Sequence, residues 1–248
     1  MNKNHLSIVT GGVGDIGTAI CKMLSKQCKH VFAMDIVEKT ASQDWLKTLQ
    51  EEGFNNIHFH LLDVTDYDQC GEVITNILSD FGPIDVLVNN AGITRDAVFT
   101  KMTKKQWDNV INVNLNGMFN VTHHVVNNLR ENEYGRIVNI SSVNALRGQF
   151  SQANYAASKA GVLGFTKSLA QELVRYNITV NSLSPGYVNT RLMEGIRPDI
   201  LEGIIQDIPA KRLAEPNEIA WAVQFLIDRR SQYITGANLN INGGLYFA

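Results

Sequence analysis

Seven short apolar runs, separated by amphipathic stretches of helical length, constrain the fold of this chain more than any other feature. In order, the runs are LSIVT, HVFAMD, IHFHLLDV, IDVLVNN, GRIVNISS, ITVNSLSP and GANLNING. Strands that are nearly continuously apolar are buried on both faces, and strands that alternate with helices pair in parallel through right-handed crossovers. The pattern therefore predicts an α/β protein with a Rossmann-type, doubly wound, seven-stranded parallel sheet and about six helices.

The chain has no linker, low-complexity tract, internal repeat or shift of composition that would divide it. With 248 residues, we predict a single domain over residues 1–248. One irregular segment, 187–216, mixes proline and glycine with apolar residues and suggests short helices on flexible joints. It is predicted to be a substrate lid, with a static surface loop as the alternative.

Charge and hydropathy exclude several classes of partner. The chain has 22 basic and 24 acidic residues, a formal net charge of −2, and no basic run longer than two residues, so no nucleic-acid surface is expected. No segment approaches the roughly 18 uninterrupted apolar residues of a membrane helix. Because a signal-peptide hydrophobic region is also absent, the protein is expected to be soluble and cytoplasmic.

Cysteine and histidine do not show the spacing of a metal site. Three cysteines without a CxxC pair, Cys21, Cys28 and Cys70, are predicted to be buried thiols rather than disulfide or zinc ligands. The histidine pairs at 58 and 60 and at 123 and 124 lack both a third ligand and an HExxH pattern. No metal is therefore expected.

A glycine-rich turn, GGVGDIG, directly follows the first apolar run. Gly12, Gly14 and Gly17 fit G-x-G-x-x-G, in which the missing side chains permit positive φ, close backbone approach to a pyrophosphate and helix amides aimed at it. Asp35 supplies the acidic residue expected about 20 positions later. A Walker A loop is excluded because Thr18 stands where lysine is required. The turn predicts a dinucleotide site, with a tight turn that binds no ligand as the alternative.

Tyr155 and Lys159 stand four residues apart in a segment of helical periodicity, so their side chains share one face. A phenol with a pKa of about 10 is a poor base at neutral pH, and a nearby ammonium brings that pKa toward the useful range. Ser142 ends the preceding strand at the predicted site edge, and Asn114 lies in a predicted helix. The four residues predict general acid/base chemistry.

Taken together, these motifs resemble the short-chain dehydrogenase/reductase family over essentially the full chain. They are TGxxxGxG at 10–17, NNAG at 89–92, the asparagine of VNL at 114, Ser142 thirteen residues before Tyr155, YxxxK, and PGxxxT at 185–190. The resemblance implies an NAD(P)-dependent oxidoreductase in which Tyr155 is the general acid/base and Ser142 holds the substrate oxygen. It also implies that Lys159 lowers the tyrosine pKa and binds the nicotinamide ribose, and that Asn114 supports a water relay.

The resemblance further implies which residues bind the dinucleotide. These are Gly11, Gly12, Gly14, Asp15, Ile16, Gly17, Asp35, Asp63, Val64, Asn90, Ala91, Gly92, Tyr155, Lys159, Pro185, Gly186, Val188 and Thr190. Asp63 would accept a hydrogen bond from the adenine amino group, although it could instead cap the following helix. Asp35 favours NADH because a 2′-phosphate would meet a like charge. NADPH is possible by family resemblance, with Lys39 as a nearby cation.

Residue 15 departs from the family pattern, which has its second glycine there. A carboxylate in the first turn of a helix is favourable, so Asp15 could face away from the pyrophosphate. Aimed inward, it would instead compete with the ligand for the same amides. The sequence leaves both orientations open.

Three longer segments, 92–122, 135–161 and 184–213, resemble the acetoacetyl-CoA reductases of polyhydroxybutyrate synthesis and, less closely, the 3-oxoacyl-ACP reductases of fatty acid metabolism. A CoA- or ACP-linked 3-oxoacyl substrate is implied, with a small alcohol, a sugar or a catalytically silent binding role as alternatives. The residues expected to border the acyl chain are Gln149, Gln152 and Tyr187; the two glutamines could instead belong to an ordinary polar loop. Three arginines could meet the phosphates of the carrier: Arg147, Arg191 and Arg197. A homotetramer is also implied, with interfaces near the helices at 103–131 and 154–175.

Overall fold

The computed structural model describes residues 5–247. Seven parallel strands form one sheet in the order β3-β2-β1-β4-β5-β6-β7, which confirms the predicted Rossmann-type fold. The strands are β1 Leu6–Thr10, β2 His30–Asp35, β3 Ile57–Leu61, β4 Val86–Asn89, β5 Gly135–Ile140, β6 Ile178–Pro185 and β7 Asn238–Ile241. All six strand pairings are parallel.

Helices cover both faces of the sheet and connect successive strands. They are α1 Asp15–Ser25, α2 Lys39–Glu51, α3 Tyr67–Phe81, α4 Lys104–Ile111, α5 Gly117–Glu131, α6 Asn144–Arg147, α7 Ala153–Leu173, α8 Arg191–Glu194, α9 Pro198–Asp207 and α10 Pro216–Ile227. One buried apolar cluster includes residues of α1 and α10, and a second includes residues of α3, α5 and α7. A sheet that is buried on both faces requires two separate apolar clusters, one on each face.

The strand order reverses between β1 and β4, which are neighbours in the sheet although two strands separate them in sequence. Polar groups join the ends of these two strands. The Thr10 hydroxyl accepts hydrogen bonds from the amides of Asn90 and Ala91 at 3.0 and 3.1 Å. Ligands of doubly wound proteins bind outside the carboxyl ends of the strands at such a reversal.

The segment 187–216 contains the short helices α8 and α9, as its composition predicts. Its two ends are held together, because Val188 forms an isolated parallel bridge with Ala214. The segment therefore leaves and rejoins the body of the protein at one place. Its action as a lid stays a prediction.

The three cysteines are buried and unpaired, which confirms the prediction for them. His58 and His60 lie on β3, and Nε2 of His58 is 2.9 Å from Nδ1 of His30. Within residues 5–247, no three or more His, Cys, Asp or Glu side chains are grouped so that they could hold a metal ion. Over the same range, every helix is too short or too polar to cross a membrane.

Candidate active site

A cleft of about 700 Å³ opens beyond the carboxyl ends of the central strands. Its walls bring together many residues predicted for chemistry, cofactor and substrate. They are Ile16, Asn90, Gly92, Ser142, Gln149, Gln152, Tyr155, Lys159, Pro185, Gly186, Tyr187, Val188 and Thr190. Gly14, Asp15 and Asp35 line an adjoining groove on the other side of the glycine turn. Asp63 and Val64 line neither cavity.

The glycines of the turn serve different purposes. Gly11 is the one with positive φ, at 63°. A Cβ on Gly12 would lie 2.7 Å from the Ala33 Cβ, and one on Gly17 would lie 2.0 Å from the Gly11 oxygen, so both are needed for close packing. A Cβ on Gly14 would meet no protein atom closer than 3.5 Å. Packing within the protein therefore does not require glycine at position 14, and the space beside it is accessible to a ligand.

The turn fits the pyrophosphate of a dinucleotide. Helix α1 begins directly after Gly14 without a side-chain cap, so the amides of its first turn have no side-chain acceptor. Such amides, together with the positive end of the helix dipole, bind phosphate oxygens. Asn90 braces the turn from below, since its side-chain amide donates to the carbonyls of Thr10 and Gly11 at 3.1 and 3.0 Å.

Asp15 pairs with Arg191 at the start of α8, and this ion pair fixes the orientation of the Asp15 carboxylate. One carboxylate oxygen accepts from Arg191 Nε at 2.9 Å, and the other accepts from the Arg191 backbone amide at 2.8 Å. The same guanidinium donates to the Val13 carbonyl at 3.3 Å. The carboxylate does not cap the first-turn amides of α1. Asp15 thus links the glycine turn to the segment 187–216.

The two acidic residues of the predicted adenosine side differ in their contacts. The Asp35 carboxylate accepts from the amides of Val13 and Ile36 at 3.1 and 2.8 Å, which fixes it beside the glycine turn. The exposed Asp63 carboxylate accepts from the Thr65 amide and hydroxyl at 2.9 and 2.8 Å. The alternative that Asp63 caps α3 is wrong.

Asp66 is the residue that caps α3, because its side chain accepts from the Gln69 amide at 2.9 Å. Val64, next to Asp63, is buried against α5: a Cβ on Gly117 would lie 2.6 Å from its Cγ2. Val64 therefore also fixes the distance between this loop and α5.

Lys159 lies at the floor of the cleft with a relative exposure of only 4%. Its ammonium donates to the Ile140 carbonyl at 2.7 Å and lies 5.8 Å from the centre of the Tyr155 ring. Burial lowers the pKa of Lys159 to about 8. The ammonium is therefore predominantly charged at neutral pH and loses its proton in mildly alkaline solution.

The pKa of Tyr155 is raised above its usual value. Burial of the phenol is the main cause, a hydrogen bond with Ser142 opposes it, and the charge of Asp96 adds to it. This direction differs from the expected lowering by Lys159, because desolvation of the phenol outweighs its hydrogen bond with Ser142. The phenol consequently carries its proton at neutral pH, which is the form that a general acid requires.

Asn114 lies in a π-helical turn, Asn112–Asn116, rather than in a regular helix. Such turns occur frequently at functional sites. The Asn114 side chain accepts from the Ile93 amide at 2.8 Å and donates to the Ile93 carbonyl and the Ser158 hydroxyl at 3.0 and 3.1 Å. A Cβ on Gly92 would meet both Asn114 Oδ1 at 3.4 Å and Lys159 Nζ at 3.3 Å, so Gly92 leaves a narrow gap between the two side chains.

A chain of hydrogen bonds connects the substrate side of the cleft to Ser142. The Ser142 hydroxyl accepts from the Asn144 amide at 3.1 Å, and the Asn144 side chain donates to Gln152 at 2.9 Å. Gln152 in turn donates to Asp96 at 2.8 Å. Sequence reasoning missed Asn144 and Asp96. Their position after the ends of β5 and β4 was the available signal.

The other predicted substrate residues form a separate group. Arg147 donates to Gln149 at 2.9 Å and to the Tyr187 hydroxyl at 3.4 Å. Of the arginines expected to meet carrier phosphates, Arg191 is paired with Asp15 and Arg197 is paired with Asp199. Arg147 makes its contacts with neutral groups and thus keeps its charge available for an anion.

A parallel α/β fold that places a glycine-rich turn suited to a phosphate beside a buried serine and lysine and a partly buried tyrosine is typical of a dinucleotide-dependent oxidoreductase. The model of the short chain dehydrogenase family matches residues 5–201. The chain belongs to this family, and its cofactor is therefore an NAD(P) dinucleotide.

Relatives align with this chain almost from end to end. The acetoacetyl-CoA reductase of Allochromatium vinosum is 48% identical over 243 residues, 98% of each chain. Nodulation protein G of Azospirillum brasilense is 46% identical over 244 residues, again 98% of each chain. The 3-oxoacyl-[acyl-carrier-protein] reductase of Thermotoga maritima is 42% identical over 246 residues, also 98% of each chain.

Proposed function

We propose that the protein reduces a short 3-oxoacyl thioester, acetoacetyl-CoA in the first instance, to the 3-hydroxyacyl thioester with NADH. The observation that carries the proposal is the placement of Gln149, Gln152 and Tyr187 in the same cleft as Ser142 and Tyr155. These polar side chains match a substrate with two carbonyl groups close together. The names of two of the full-length relatives support the same substrate class.

When bound, a reduced nicotinamide would supply the hydride that reduces the C3 carbonyl carbon. Tyr155 donates its phenolic proton to the carbonyl oxygen, which becomes the hydroxyl of the product. The Ser142 hydroxyl holds the same oxygen during the transfer. The raised pKa of Tyr155 supports proton donation to the substrate, since the phenol holds its proton at neutral pH.

Lys159 has two roles in this proposal. Its charged ammonium binds the nicotinamide ribose, and it favours the phenolate left on Tyr155 after the proton has moved. Asn114 supports a water relay that returns a proton to Tyr155 from solvent. The gap beside Gly92, between the Asn114 oxygen and the Lys159 ammonium, is consistent with such a route.

The choice of NADH rests on Asp35. Its carboxylate is held at the end of β2 by two backbone amides, so it cannot easily swing away from a ribose 2′-substituent. Two like charges about 4 Å apart repel by roughly 1 kcal/mol in water and about 4 kcal/mol at an effective dielectric constant of 20. A 2′-phosphate would meet this repulsion, whereas a 2′-hydroxyl would donate a hydrogen bond.

Consumption of NADH, followed by its near-ultraviolet absorbance, tests the proposal most directly. We expect acetoacetyl-CoA to be reduced, with the Tyr155→Phe variant as the inactive control. Faster reduction of a 3-oxoacyl-ACP would favour the carrier-protein substrate instead. If the protein reduced only a small ketone or a sugar, the proposal of a thioester substrate would be contradicted. Binding of NADH without turnover of any of these compounds would indicate a silent sensor or scaffold.

We further propose a homotetramer located in the cytoplasm. A groove of about 620 Å³ between α5 and α7 is lined by polar, charged and apolar residues, and the apolar ones include Phe119, Val126, Phe165 and Leu169. Phe119 is 47% exposed, and a second copy of the chain would cover it. Light scattering coupled to size-exclusion chromatography tests this assembly.

The three unpaired cysteines support a reducing compartment.

A further inference from the structure

A second cavity, of about 450 Å³, lies at the opposite end of the strands. His5 precedes β1, Asp85 precedes β4 and Arg136 lies at the start of β5, and all three line it. The five residues of β1 separate this edge from the glycine turn. At about 3.3 Å per strand residue, the two sites are roughly 17 Å apart. The cavity is therefore distinct from the catalytic cleft.

Arg136 brings a buried positive charge to this cavity. The side chain is 1% exposed, and its guanidinium donates to the carbonyls of Gly135 and Asn177 at 2.7 and 3.1 Å. No carboxylate within residues 5–247 forms an ion pair with it. A buried cation without an anion is costly, and its desolvation lowers the pKa of Arg136.

Unpartnered polar atoms are concentrated at the same cavity. Within residues 5–247, four buried side-chain nitrogen or oxygen atoms make no hydrogen bond. Three of the four belong to residues that line it: His5 Nε2, Tyr134 Oη and Arg136 Nε. Buried polar groups nearly always form hydrogen bonds, so three atoms without hydrogen bonds in one cavity indicate a common cause.

Three neighbouring side chains pack around the aromatic ring of Tyr134. The His5 ring stacks on it at 5.0 Å, while the guanidinium groups of Arg136 and Arg229 lie 4.5 and 5.3 Å from its centre. The nearest carboxylate of the cavity, Asp85, is already engaged by His5 Nδ1 at 3.0 Å and by the Leu6 amide at 2.9 Å. Among residues 5–247, neither Asp85 nor any other carboxylate forms an ion pair with Arg136 or Arg229.

Asp228 is also engaged elsewhere, because it pairs with Arg230 at 2.9 Å. Two guanidinium groups, a phenol and an imidazole nitrogen thus face a cavity whose one lining carboxylate among the described residues, Asp85, is occupied. We propose that this cavity binds a small anion that carries a phosphate group, with Arg136 and Arg229 as its cationic ligands. The site is independent of the proposed reductase activity.

Inorganic phosphate tests the site in the full-length protein. The glycine turn is also expected to bind phosphate, so saturating NADH is present throughout, and sodium chloride keeps the ionic strength constant. We expect phosphate to raise the Tm of the wild type in a saturable manner. Arg229 is exposed, so Arg229→Gln should fold normally yet weaken phosphate binding by roughly tenfold or more, the usual effect of losing a charge-assisted hydrogen bond.

Arg175→Gln is the matched control, because Arg175 lies 4.9 Å from the ring of Tyr176 in a similar exposed stack at another surface. This variant should respond to phosphate like the wild type. Glycerol 3-phosphate distinguishes the sources of the anion: tighter binding than phosphate indicates a phosphorylated metabolite, and equal binding indicates free phosphate. The proposal is overturned if phosphate does not shift the wild-type Tm, or if Arg229→Gln responds to phosphate as the wild type does.

Discussion

Two walls beside the glycine turn are built in opposite ways: one lines the catalytic cleft, and the other lines the adjoining groove. On one wall, Ser142 and Lys159 are 8% and 4% exposed, and their polar atoms are held by backbone partners. On the other wall, the charged groups pair in contact with solvent: the Arg191 side chain that pairs with Asp15 is 66% exposed. Electrostatic effects are large where water is excluded and small where it screens them. The buried wall should therefore control chemistry, and the exposed wall should adjust binding.

The largest effect is expected on the buried wall. Tyr155→Phe keeps the ring and its packing but removes the proton donor, and a positioned acid typically contributes about 10²–10⁴-fold to the rate. We expect kcat to fall by this factor while NADH affinity, measured by fluorescence titration, stays within a few-fold. A variant that retains near-normal kcat would contradict the role of Tyr155.

A pH titration of stability tests how buried Lys159 is. Its folded-state pKa of about 8 lies below the ordinary 10.5. Between these values the unfolded chain binds the proton more readily, so stability rises with pH across this window and is constant below it. Lys159→Met removes the titration. We expect the free energy of unfolding of the wild type, relative to this variant, to rise by on the order of 3 kcal/mol from pH 8 to 10.5.

Chemical denaturation at several pH values measures this difference. If it were flat across the window, the ammonium would be better solvated than the structure indicates. Lys159→Met should also weaken NADH binding, since the proposal assigns the ribose contact to the same ammonium. Unchanged affinity would contradict that contact.

An intermediate effect is expected at Asp35, which is partly exposed. The repulsion estimated above corresponds to between several-fold and about a thousand-fold discrimination against NADPH. We expect kcat/KM to favour NADH in the wild type, and Asp35→Ser to move the ratio toward NADPH. Lys39 is exposed at the start of α2 and is the cation that could reduce the discrimination. A wild type that prefers NADPH would show that Asp35 does not set the preference.

The smallest effect is expected at the exposed pair between Asp15 and Arg191. Surface ion pairs contribute about 0.2–1 kcal/mol, so Arg191→Gln should raise the KM for NADH by no more than about fivefold. The same change should expose the segment 187–216 to limited proteolysis. Arg197→Gln is the control, because Arg197 pairs with Asp199 inside the segment and does not reach the glycine turn.

NADH and substrate together should slow cleavage of the segment in the wild type if it closes as a lid. Equal cleavage with and without them would favour a static surface loop. Asp15→Gly, which restores the family residue, should behave like Arg191→Gln, because either change removes the same pair.

The strands and the convergence of site residues could be predicted because both follow from local patterns. Apolar runs define strands, and parallel strands bring their carboxyl ends to one edge. The pair between Asp15 and Arg191 could not be predicted, because it joins residues 176 positions apart through the placement of α8. No periodicity in the sequence encodes a contact of that kind.

The other differences between the predictions and the structure depend on local geometry that the sequence does not specify. Asp63 and Asp66 both precede α3, and only the geometry of the turn decides that Asp66 caps it while Asp63 bonds Thr65. The π turn around Asn114 inserts a wider turn where the sequence reads as uninterrupted helix. The pKa of Tyr155 depends on how deeply the phenol is buried, which its spacing from Lys159 does not specify.

The junction between β1 and β4 has a consequence for how the protein folds. Contacts between Asn90 or Ala91 and the end of β1 join residues 79 to 81 positions apart. Closing so long a loop is slow compared with forming the adjacent units β1–β2 and β5–β6. The glycine turn is braced only once this junction has formed. We therefore expect the ability to bind NADH to appear late in refolding, after most helical structure has been regained.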